Sequence, residues 1–134
     1  MILKVDFSNA FNCVTRHIML EQCSQHFPEL LPYVQWCYGA QPYLFYDSDL
    51  AIPSCAGVQQ GDPLGPMLFC LVLHPVVLRI SQTCPHILRH QWYLDDGSLA
   101  GPSLQILKAF GVICSMGSDY GLNLNLSNCE LFSP

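Results

Sequence analysis

The sequence predicts an α+β fold in which helices cover one face of an antiparallel or mixed sheet. Two observations support this prediction. Short strand-like segments and longer segments with helical spacing of apolar residues follow one another in the order β-α-hairpin-α-β-β-α-β, a split βαβ arrangement. Turn residues rich in Asp, Ser and Gly separate two pairs of the short segments, as expected for hairpins. The 134 residues form a single domain, long enough to bury a core.

The first half of the chain supplies a strand, two helices and a hairpin. Gly39 closes the second helix, and Asp47-Ser48-Asp49 forms the turn of the hairpin. The predicted ranges are 2–7 for the strand, 12–26 and 30–38 for the helices, and 42–46 and 50–55 for the hairpin strands.

The second half begins with a loop dense in Gly and Pro, followed by a long apolar helix with a kink near Pro75. Asp95-Asp96-Gly97 forms the turn of a second hairpin, and Gly121 stops the last helix. The predicted ranges are 57–66 for the loop, from the end of that loop to about 84 for the long helix, and 104–120 for the last helix. They are 88–94 and 98–100 for the hairpin strands, and 122–132 for a final strand or extended loop.

The composition is unusual for a free-standing soluble domain. Charged residues make up 11 % and apolar residues 51 % of the chain, whereas about 25 % charged residues is typical. So few charges predict exposed apolar patches that another domain or subunit covers. The net charge of −5 argues, taken alone, against a nucleic-acid-binding protein, because such domains are usually basic.

The eight cysteines do not follow a metal-binding or disulfide pattern. The sequence contains no C-x-x-C pair and no visible secretory leader, and most of the cysteines lie in apolar runs such as Phe69-Cys70-Leu71. We expect reduced structural thiols in an intracellular compartment, which the sequence does not narrow to cytoplasm or nucleus. The alternative is an adventitious metal site that uses one of the five histidines.

The apolar run over residues 64–80 raises the question of a membrane span. It covers about 17 residues and is interrupted by Gly, Pro and His, whereas a span needs roughly 20 apolar residues. A buried helix is the better interpretation, and we expect no membrane association.

Three carboxylates follow predicted strands. Asp6 ends the first strand, and Asp95 and Asp96 end the strand that begins at residue 88. If these strands are parallel neighbours, all three carboxylates gather at one sheet edge, where their mutual repulsion calls for a counter-charge. A pair of divalent cations would supply it, and such a pair catalyses in-line phosphoryl transfer.

Each of these signals is weak by itself. An Asp-Gly pair is more often a plain hairpin turn than part of a metal site. Asp6 alone reads as a turn residue or the residue before a helix, and residues 59–63 alone read as a loop. Their order and spacing are more informative than any single motif.

In that order and spacing, the sequence resembles the reverse transcriptases over nearly its whole length. The resemblance is closest to those of retrotransposons without long terminal repeats and to their bacterial and intron-encoded relatives. Four motifs carry it: Val5-Asp6-Phe7-Ser8-Asn9-Ala10-Phe11-Asn12, Gly57-Val58-Gln59-Gln60-Gly61-Asp62-Pro63-Leu64-Gly65-Pro66, Tyr93-Leu94-Asp95-Asp96, and Gly121-Leu122-Asn123-Leu124-Asn125 through Glu130. The fold it implies is the polymerase palm, with a ferredoxin-like sheet and helices on one face.

The resemblance also implies the catalytic roles. Asp6 and Asp95 would bridge two Mg²⁺ ions, with Mn²⁺ able to substitute, and the backbone carbonyl of Phe7 would reach the nucleotide-bound metal. Asp96 would be the supporting carboxylate. The reaction would be RNA-directed DNA synthesis on an RNA template, with a DNA primer and deoxynucleoside triphosphates as the other partners.

Four further residues match substrate-contacting positions of the family. Phe11 would be the aromatic gate under the sugar that leaves no room for a 2′-hydroxyl; the alternative for Phe11 is a core aromatic under the sheet. Gln60 and Gly61 would form the floor beside the incoming nucleotide and the template base. Tyr93 would lie near the primer end.

Two departures from the family limit these expectations. Asn128 stands where the family often has a Lys proposed to protonate the departing pyrophosphate, and an amide does not act as an acid near neutral pH. The family's fingers and thumb have no counterpart in residues 1–134, so we expect a fragment of a longer polyprotein, without polymerase activity when isolated because the triphosphate contacts and the grip on the duplex are lost. Because those parts carry most of the family's positive charge, the acidity of this chain no longer argues against the assignment.

Two alternatives from other functional classes remain at this point. One is a catalytically silent retrotransposon remnant that binds only RNA or a protein. Intact Asp6, Asp95 and Asp96 argue against it. The other is a small structural or metal-binding domain built from Cys and His, which stoichiometric zinc would support.

Overall fold

The computed structural model describes residues 1–47 and 50–133. Its main sheet has four strands and a separate hairpin has two. The main-sheet strands are β1 (Ile2–Val5), β4 (Arg89–Tyr93), β5 (Asp96–Ala100) and β6 (Glu130–Phe132), and the hairpin strands are β2 (Tyr43–Asp47) and β3 (Leu50–Pro53). Ser48 and Asp49, which the sequence predicts to lie in a hairpin turn, are outside the described residues. The predicted α+β class is confirmed.

The strand order of the main sheet is β4-β5-β1-β6, and every paired strand is antiparallel. The prediction that β1 and β4 could be parallel neighbours is therefore wrong. The short connection between β4 and β5 forces these two to pair, and this places β5 between β4 and β1. Because β5 is antiparallel to both, β1 and β4 still run in the same direction and end at the same edge of the sheet.

The second hairpin turns one residue earlier than predicted. β4 ends at Tyr93 and β5 begins at Asp96, so Leu94 and Asp95 form the turn. Gly97 lies within β5 opposite Trp92, and a Cβ at Gly97 would collide with the indole ring. The glycine of the Asp-Gly pair therefore allows an aromatic ring to pack closely on the strand. The pair lies within β5 and not in the turn, where Asp-Gly is usually found.

Five α-helices and one short 3₁₀ helix complete the described fold. They are α1 (Ala10–Cys13), α2 (Arg16–His26), α3 (Leu31–Tyr38), α4 (Gly65–Thr83), α5 (Ser103–Gly117) and the 3₁₀ helix Ser118–Tyr120. The 3₁₀ helix ends at Gly121, which has φ +74°. The predicted stop at Gly121 is confirmed.

The helix predicted over residues 12–26 is divided at Val14 and Thr15, whose ψ angles of 140° and 116° are extended. Both residues make long-range backbone hydrogen bonds at this break. The Thr15 N–H donates to the Tyr120 carbonyl at 3.1 Å, and the Val14 carbonyl accepts the Gly57 N–H at 2.8 Å. These tertiary bonds replace helical ones, which the local apolar spacing could not reveal.

Helix α4 is the centre of the hydrophobic core and continues past Pro75. By length and composition alone it could cross a membrane, as could the core helix of many globular proteins. In this fold the residues it buries are Gly65, Leu68, Phe69, Leu71, Val72, Leu73, Val76 and Ile80.

The main sheet has one buried and one open face. Leu3, Val5 and Leu99 are buried in the core, whereas Lys4 is exposed and Asp6 is half-buried. This alternation directs Asp6 to the open face, because successive strand residues point to opposite sides. All eight cysteines are free.

Candidate active site

Asp6 and Asp96 come together at the edge where β1 ends and β5 begins. The pairing of Val5 with Gly97 brings the next residues of the two antiparallel strands, Asp6 and Asp96, to adjacent positions. Both line one open pocket of about 400 Å³, whose other lining residues are Lys4, Ser127, Asn128 and Glu130. The fold therefore joins two carboxylates that are distant in the sequence.

The segment that follows Leu124 holds Asp6 in place. The Asn128 side-chain amide donates to Asp6 Oδ2 at 3.1 Å, and the Asn125 N–H donates to the Asp6 carbonyl at 2.9 Å. The Asp6 N–H lies 3.5 Å from the Cys129 sulfur. Side chain and backbone of Asp6 are both anchored, so its carboxylate orientation is set before any ligand binds.

Asn128, which stands in place of the family's lysine, thus contacts a proposed catalytic carboxylate directly. A neutral amide at this position brings no positive charge to the pocket. The cation that lines the pocket is Lys4, whose Nζ lies 3.3 Å from Glu130 Oε1. Among side chains of residues 1–45 and 50–133, this is the only salt bridge.

Asp95 lies at the same edge but does not line that pocket. It is half-buried at the second position of the turn, after Leu94. Leu94 has φ +53°, a left-handed conformation that costs a residue with a Cβ about 1–3 kcal/mol. Next to it, Tyr93 is 79 % exposed. Strained backbone conformations cluster at functional sites.

The donor chemistry of the pocket fits a magnesium ion. No group of three or more His, Cys, Asp or Glu side chains suited to hold a metal occurs in the described part of the chain. Mg²⁺, however, is usually bound through only one or two carboxylates, with water and substrate phosphates as the other ligands. Asp6 and Asp96, facing one open pocket, match that donor set.

The two phenylalanines of the first motif are both packed. The Phe7 ring is buried and stacks on Trp92, with centroids 6.2 Å apart. The Phe11 ring stacks on the fully buried Phe69, with centroids 4.7 Å apart and planes inclined by 7°. Phe11 remains partly exposed. One face of its ring thus belongs to the core, while the ring keeps an accessible surface.

The Gln60-Gly61 loop precedes α4. Gln60 and Gly61 are both exposed, and Gly61 has φ +90°. A Cβ at Gly61 would meet no atom within 4 Å, so glycine is favoured there by backbone conformation alone. The loop therefore presents backbone groups and the Gln60 side chain to solvent.

Sequence reasoning named Asn128 and Glu130 only as parts of the fourth motif and did not predict that they, with Lys4 and Ser127, surround Asp6. Lys4 could have been found, because it lies two residues before Asp6 on the same strand face. Glu130 required knowledge that β6 pairs with β1, with Lys4 opposite Glu130. Tyr38 and Arg16, which form hydrogen bonds with Gln59 and Gly57 beside the Gln60-Gly61 loop, were also not predicted. No local sequence pattern connects either residue to that loop.

Comparisons with known proteins agree with this geometry. The family model described as "Reverse transcriptase (RNA-dependent DNA polymerase)" matches residues 1–134. A search of curated proteins finds no match.

Two solved telomerase structures share the fold. One is telomerase from Candida albicans in complex with a fragment of telomeric RNA (TM-score 0.77, 14 % identity, 98 % of this chain and 26 % of that chain). The other is apo telomerase from Candida tropicalis, truncated from its C-terminal domain (TM-score 0.74, 13 % identity, 96 % of this chain and 30 % of that chain). This chain thus spans less than a third of the length of either. Because the family model covers the whole chain, we conclude that this protein belongs to the reverse transcriptase family.

Proposed function

We propose that this chain is the catalytic palm of an RNA-directed DNA polymerase, which adds deoxynucleotides to a primer 3′-hydroxyl on an RNA template. The single observation that carries the proposal is the open pocket shared by Asp6 and Asp96, beside the turn that contains Asp95. Paired carboxylates on an open sheet face suit a reaction on a long polymeric substrate, because the primer end needs free access.

On the family resemblance, Asp6 and Asp95, with the Phe7 backbone carbonyl, are the proposed holders of two Mg²⁺ ions. Asp96, which lines the same pocket as Asp6, is the supporting carboxylate. When bound, the ions would lower the pKa of the primer hydroxyl and neutralise charge on the phosphates. The Asn128 amide keeps one oxygen of Asp6 oriented. It does not supply the proton that a lysine at this position could give to pyrophosphate.

Substrate selection is assigned to Phe11, Gln60, Gly61 and Tyr93. The Phe11 ring is braced by Phe69, so it does not move aside easily for an additional 2′-oxygen. Gln60 and Gly61 are exposed before α4, where a nucleotide base could rest. The exposed Tyr93 ring lies at the end of β4 and would contact the primer terminus.

Other segments of a polymerase would complete the nucleic-acid grip. The chain has only five Lys and Arg residues, and Arg16 is buried. Four basic residues at the surface give little affinity for a phosphate backbone. We therefore propose that fingers and thumb segments of a longer, intracellular retrotransposon polyprotein supply the missing charge and cover apolar residues such as Trp36 and Phe45.

Primer extension on an RNA template, in Mg²⁺ and in Mn²⁺, tests the proposal, with this chain alone and with fingers and thumb segments restored on either side. Asp6→Asn, Asp95→Asn and Asp96→Asn keep the size of each side chain and remove its charge, and each should abolish extension. Asp119→Asn is the matched control, because Asp119 is exposed on the 3₁₀ helix and does not line the pocket. Extension that survives in all three site variants would refute the assignment.

Asn128 favours one alternative function. A palm that has lost its proton donor could persist as an RNA- or protein-binding module without polymerase activity. In that case RNA binding would be measurable while extension stays absent, and Asn128→Lys would not create activity. Extension by the unmodified chain, or its appearance in Asn128→Lys, would exclude the silent module.

A further inference from the structure

The Tyr38 hydroxyl lies at the centre of a hydrogen-bond network behind the Gln60-Gly61 loop. Tyr38 closes α3 and is only 3 % exposed. Its hydroxyl donates to Asp62 Oδ2 and accepts the Gln59 N–H at 3.2 Å. One buried oxygen thus holds the residues on either side of Gln60 and Gly61.

Asp62 connects this hydroxyl to the start of α4. Its Oδ1 accepts the Leu64 N–H at 2.9 Å, and its own N–H donates to the Gln59 carbonyl at 3.2 Å. The Asp62 carbonyl in turn accepts the Gly65 N–H at 2.9 Å. Both ends of the loop are therefore tied to each other and to the core helix.

Arg16 holds the segment that enters the loop. It is 8 % exposed, and its Nε donates to the Gly57 carbonyl at 3.0 Å. Its two terminal nitrogens donate to the Ser54 carbonyl at 2.5 Å and to Ser54 Oγ at 2.8 Å. The guanidinium carbon lies 5.3 Å from the centre of the Tyr38 ring. Arg16 therefore contacts both the loop entrance and the residue that holds the loop ends.

Among the carboxylates whose side chains the structure describes, which lie in residues 1–45 and 50–133, none forms a salt bridge with Arg16. The described partners of this buried guanidinium are two carbonyls and a hydroxyl, none of them charged, so its desolvation is costly, and burial lowers the pKa of Arg16. A simple core role would be filled equally well by an apolar side chain. The directional bonds to Ser54 and Gly57 are what an apolar residue could not provide.

Gln60 and Gly61 are left outside this network. Both are exposed, whereas their neighbours Gln59 and Asp62 are held by hydrogen bonds to the buried Tyr38 hydroxyl. We propose that Tyr38, Asp62 and Arg16 are positioning residues that form a latch, and that this latch sets the geometry in which Gln60 and Gly61 receive a deoxynucleoside triphosphate. This inference rests on the proposed polymerase function and adds to it the residues that act through the loop.

The test removes the hydroxyl alone. Tyr38→Phe retains the ring under Arg16 and deletes both loop bonds. Tyr33→Phe is the matched control, because Tyr33 lies on the same helix but is exposed. Binding of dTTP in Ca²⁺ is measured for both variants and for the unmodified chain, without any need for turnover. Amide hydrogen exchange is recorded at Gln59 and Leu64, with Ile80 in the core as the internal reference.

We expect faster exchange at Gln59 and Leu64 in Tyr38→Phe and about tenfold weaker dTTP binding, the scale of one or two lost hydrogen bonds. Exchange at Ile80 and all properties of Tyr33→Phe should stay unchanged. Unchanged dTTP affinity despite faster loop exchange would reduce the latch to a structural role and overturn the proposal. Unchanged exchange at both loop amides would overturn it as well.

A milder variant covers the case in which Tyr38→Phe also accelerates exchange at Ile80. Asp62→Asn keeps an acceptor for the Tyr38 hydroxyl and removes the charge. Asp62→Asn should accelerate amide exchange in the loop and weaken dTTP binding, both by a smaller factor than Tyr38→Phe does. Unchanged exchange together with unchanged dTTP affinity would contradict the latch. If the unmodified chain binds no dTTP, the proposed function fails and the nucleotide role of the latch fails with it. The exchange comparison then still reports whether the hydroxyl holds the loop.

Discussion

The four-stranded sheet and the β2–β3 hairpin are both built from short antiparallel strands rich in apolar residues, but they are stabilised differently. The sheet buries Leu3, Val5 and Leu99 against the helices. In the hairpin, Tyr43, Leu44 and Phe45 are all exposed, although consecutive strand residues point to opposite faces. An isolated two-stranded hairpin is only marginally stable in water. Apolar composition alone therefore does not decide burial; the presence of a packing partner does.

The largest expected contrast comes from one phenylalanine in each region. Phe69→Ala removes a fully buried ring that supports Phe11 and should destabilise the fold by about 3–5 kcal/mol. Phe45→Ala removes a ring that is 81 % exposed and should change stability by no more than about 0.5 kcal/mol. Urea unfolding of both variants measures the difference. A large loss in Phe45→Ala would mean that the hairpin is covered in solution.

A smaller contrast is expected between two glycines. Gly97→Ala places a methyl group against the Trp92 ring and should destabilise by about 1–3 kcal/mol, as overpacked sites do. Gly111 is exposed within α5 with open space around its Cβ position, so Gly111→Ala should stabilise by about 0.5–1 kcal/mol. In thermal unfolding we expect a lower Tm for Gly97→Ala and a higher Tm for Gly111→Ala than for the unmodified chain. Equal effects would contradict the packing role assigned to Gly97.

The latch around Tyr38 predicts a pH dependence at the alkaline end. Burial, followed by the hydrogen bond to Asp62, raises the pKa of Tyr38 from 10.0 to about 12. A folded-state pKa above the unfolded value contributes stability that is fully present below pH 10 and is lost as the pH rises toward 12. Tyr38→Phe should flatten this part of the stability profile. An alkaline decline in Tyr38→Phe identical to that of the unmodified chain would show that another group is responsible.

The smallest effect is expected at the open face of the sheet. The Lys4–Glu130 pair lies across two strands with both side chains about half exposed, and such pairs contribute about 0.2–1 kcal/mol. Lys4→Gln should lower stability by no more than this in low salt and by less in 1 M salt, because screening weakens exposed pairs. Lys108→Gln on α5 is the control. A loss of stability that does not depend on salt would indicate that Lys4 contributes through packing of its aliphatic side chain and not through its ion pair with Glu130.

Much of the fold could be predicted from local patterns. The alternation in β1, the apolar spacing of α4 and the stop at Gly121 each depend on a few neighbouring residues. The position of Asp6 at a strand end was predictable for the same reason. Local spacing did not reveal the break at Val14 and Thr15, because the hydrogen bonds that divide the helix come from Tyr120 and Gly57.

The sequence by itself determined the chemistry of this protein: which carboxylates, aromatic rings and loop residues are present, and in which order. Only the tertiary structure decided that β5 lies between β1 and β4, that Asp96 rather than Asp95 shares the pocket with Asp6, and that Tyr38 fastens the Gln60-Gly61 loop. The physical reason is the range of the interactions. Helix and strand periodicity is a property of neighbouring residues, whereas strand order and buried hydrogen bonds depend on which distant segments lower the free energy of the whole chain by packing together.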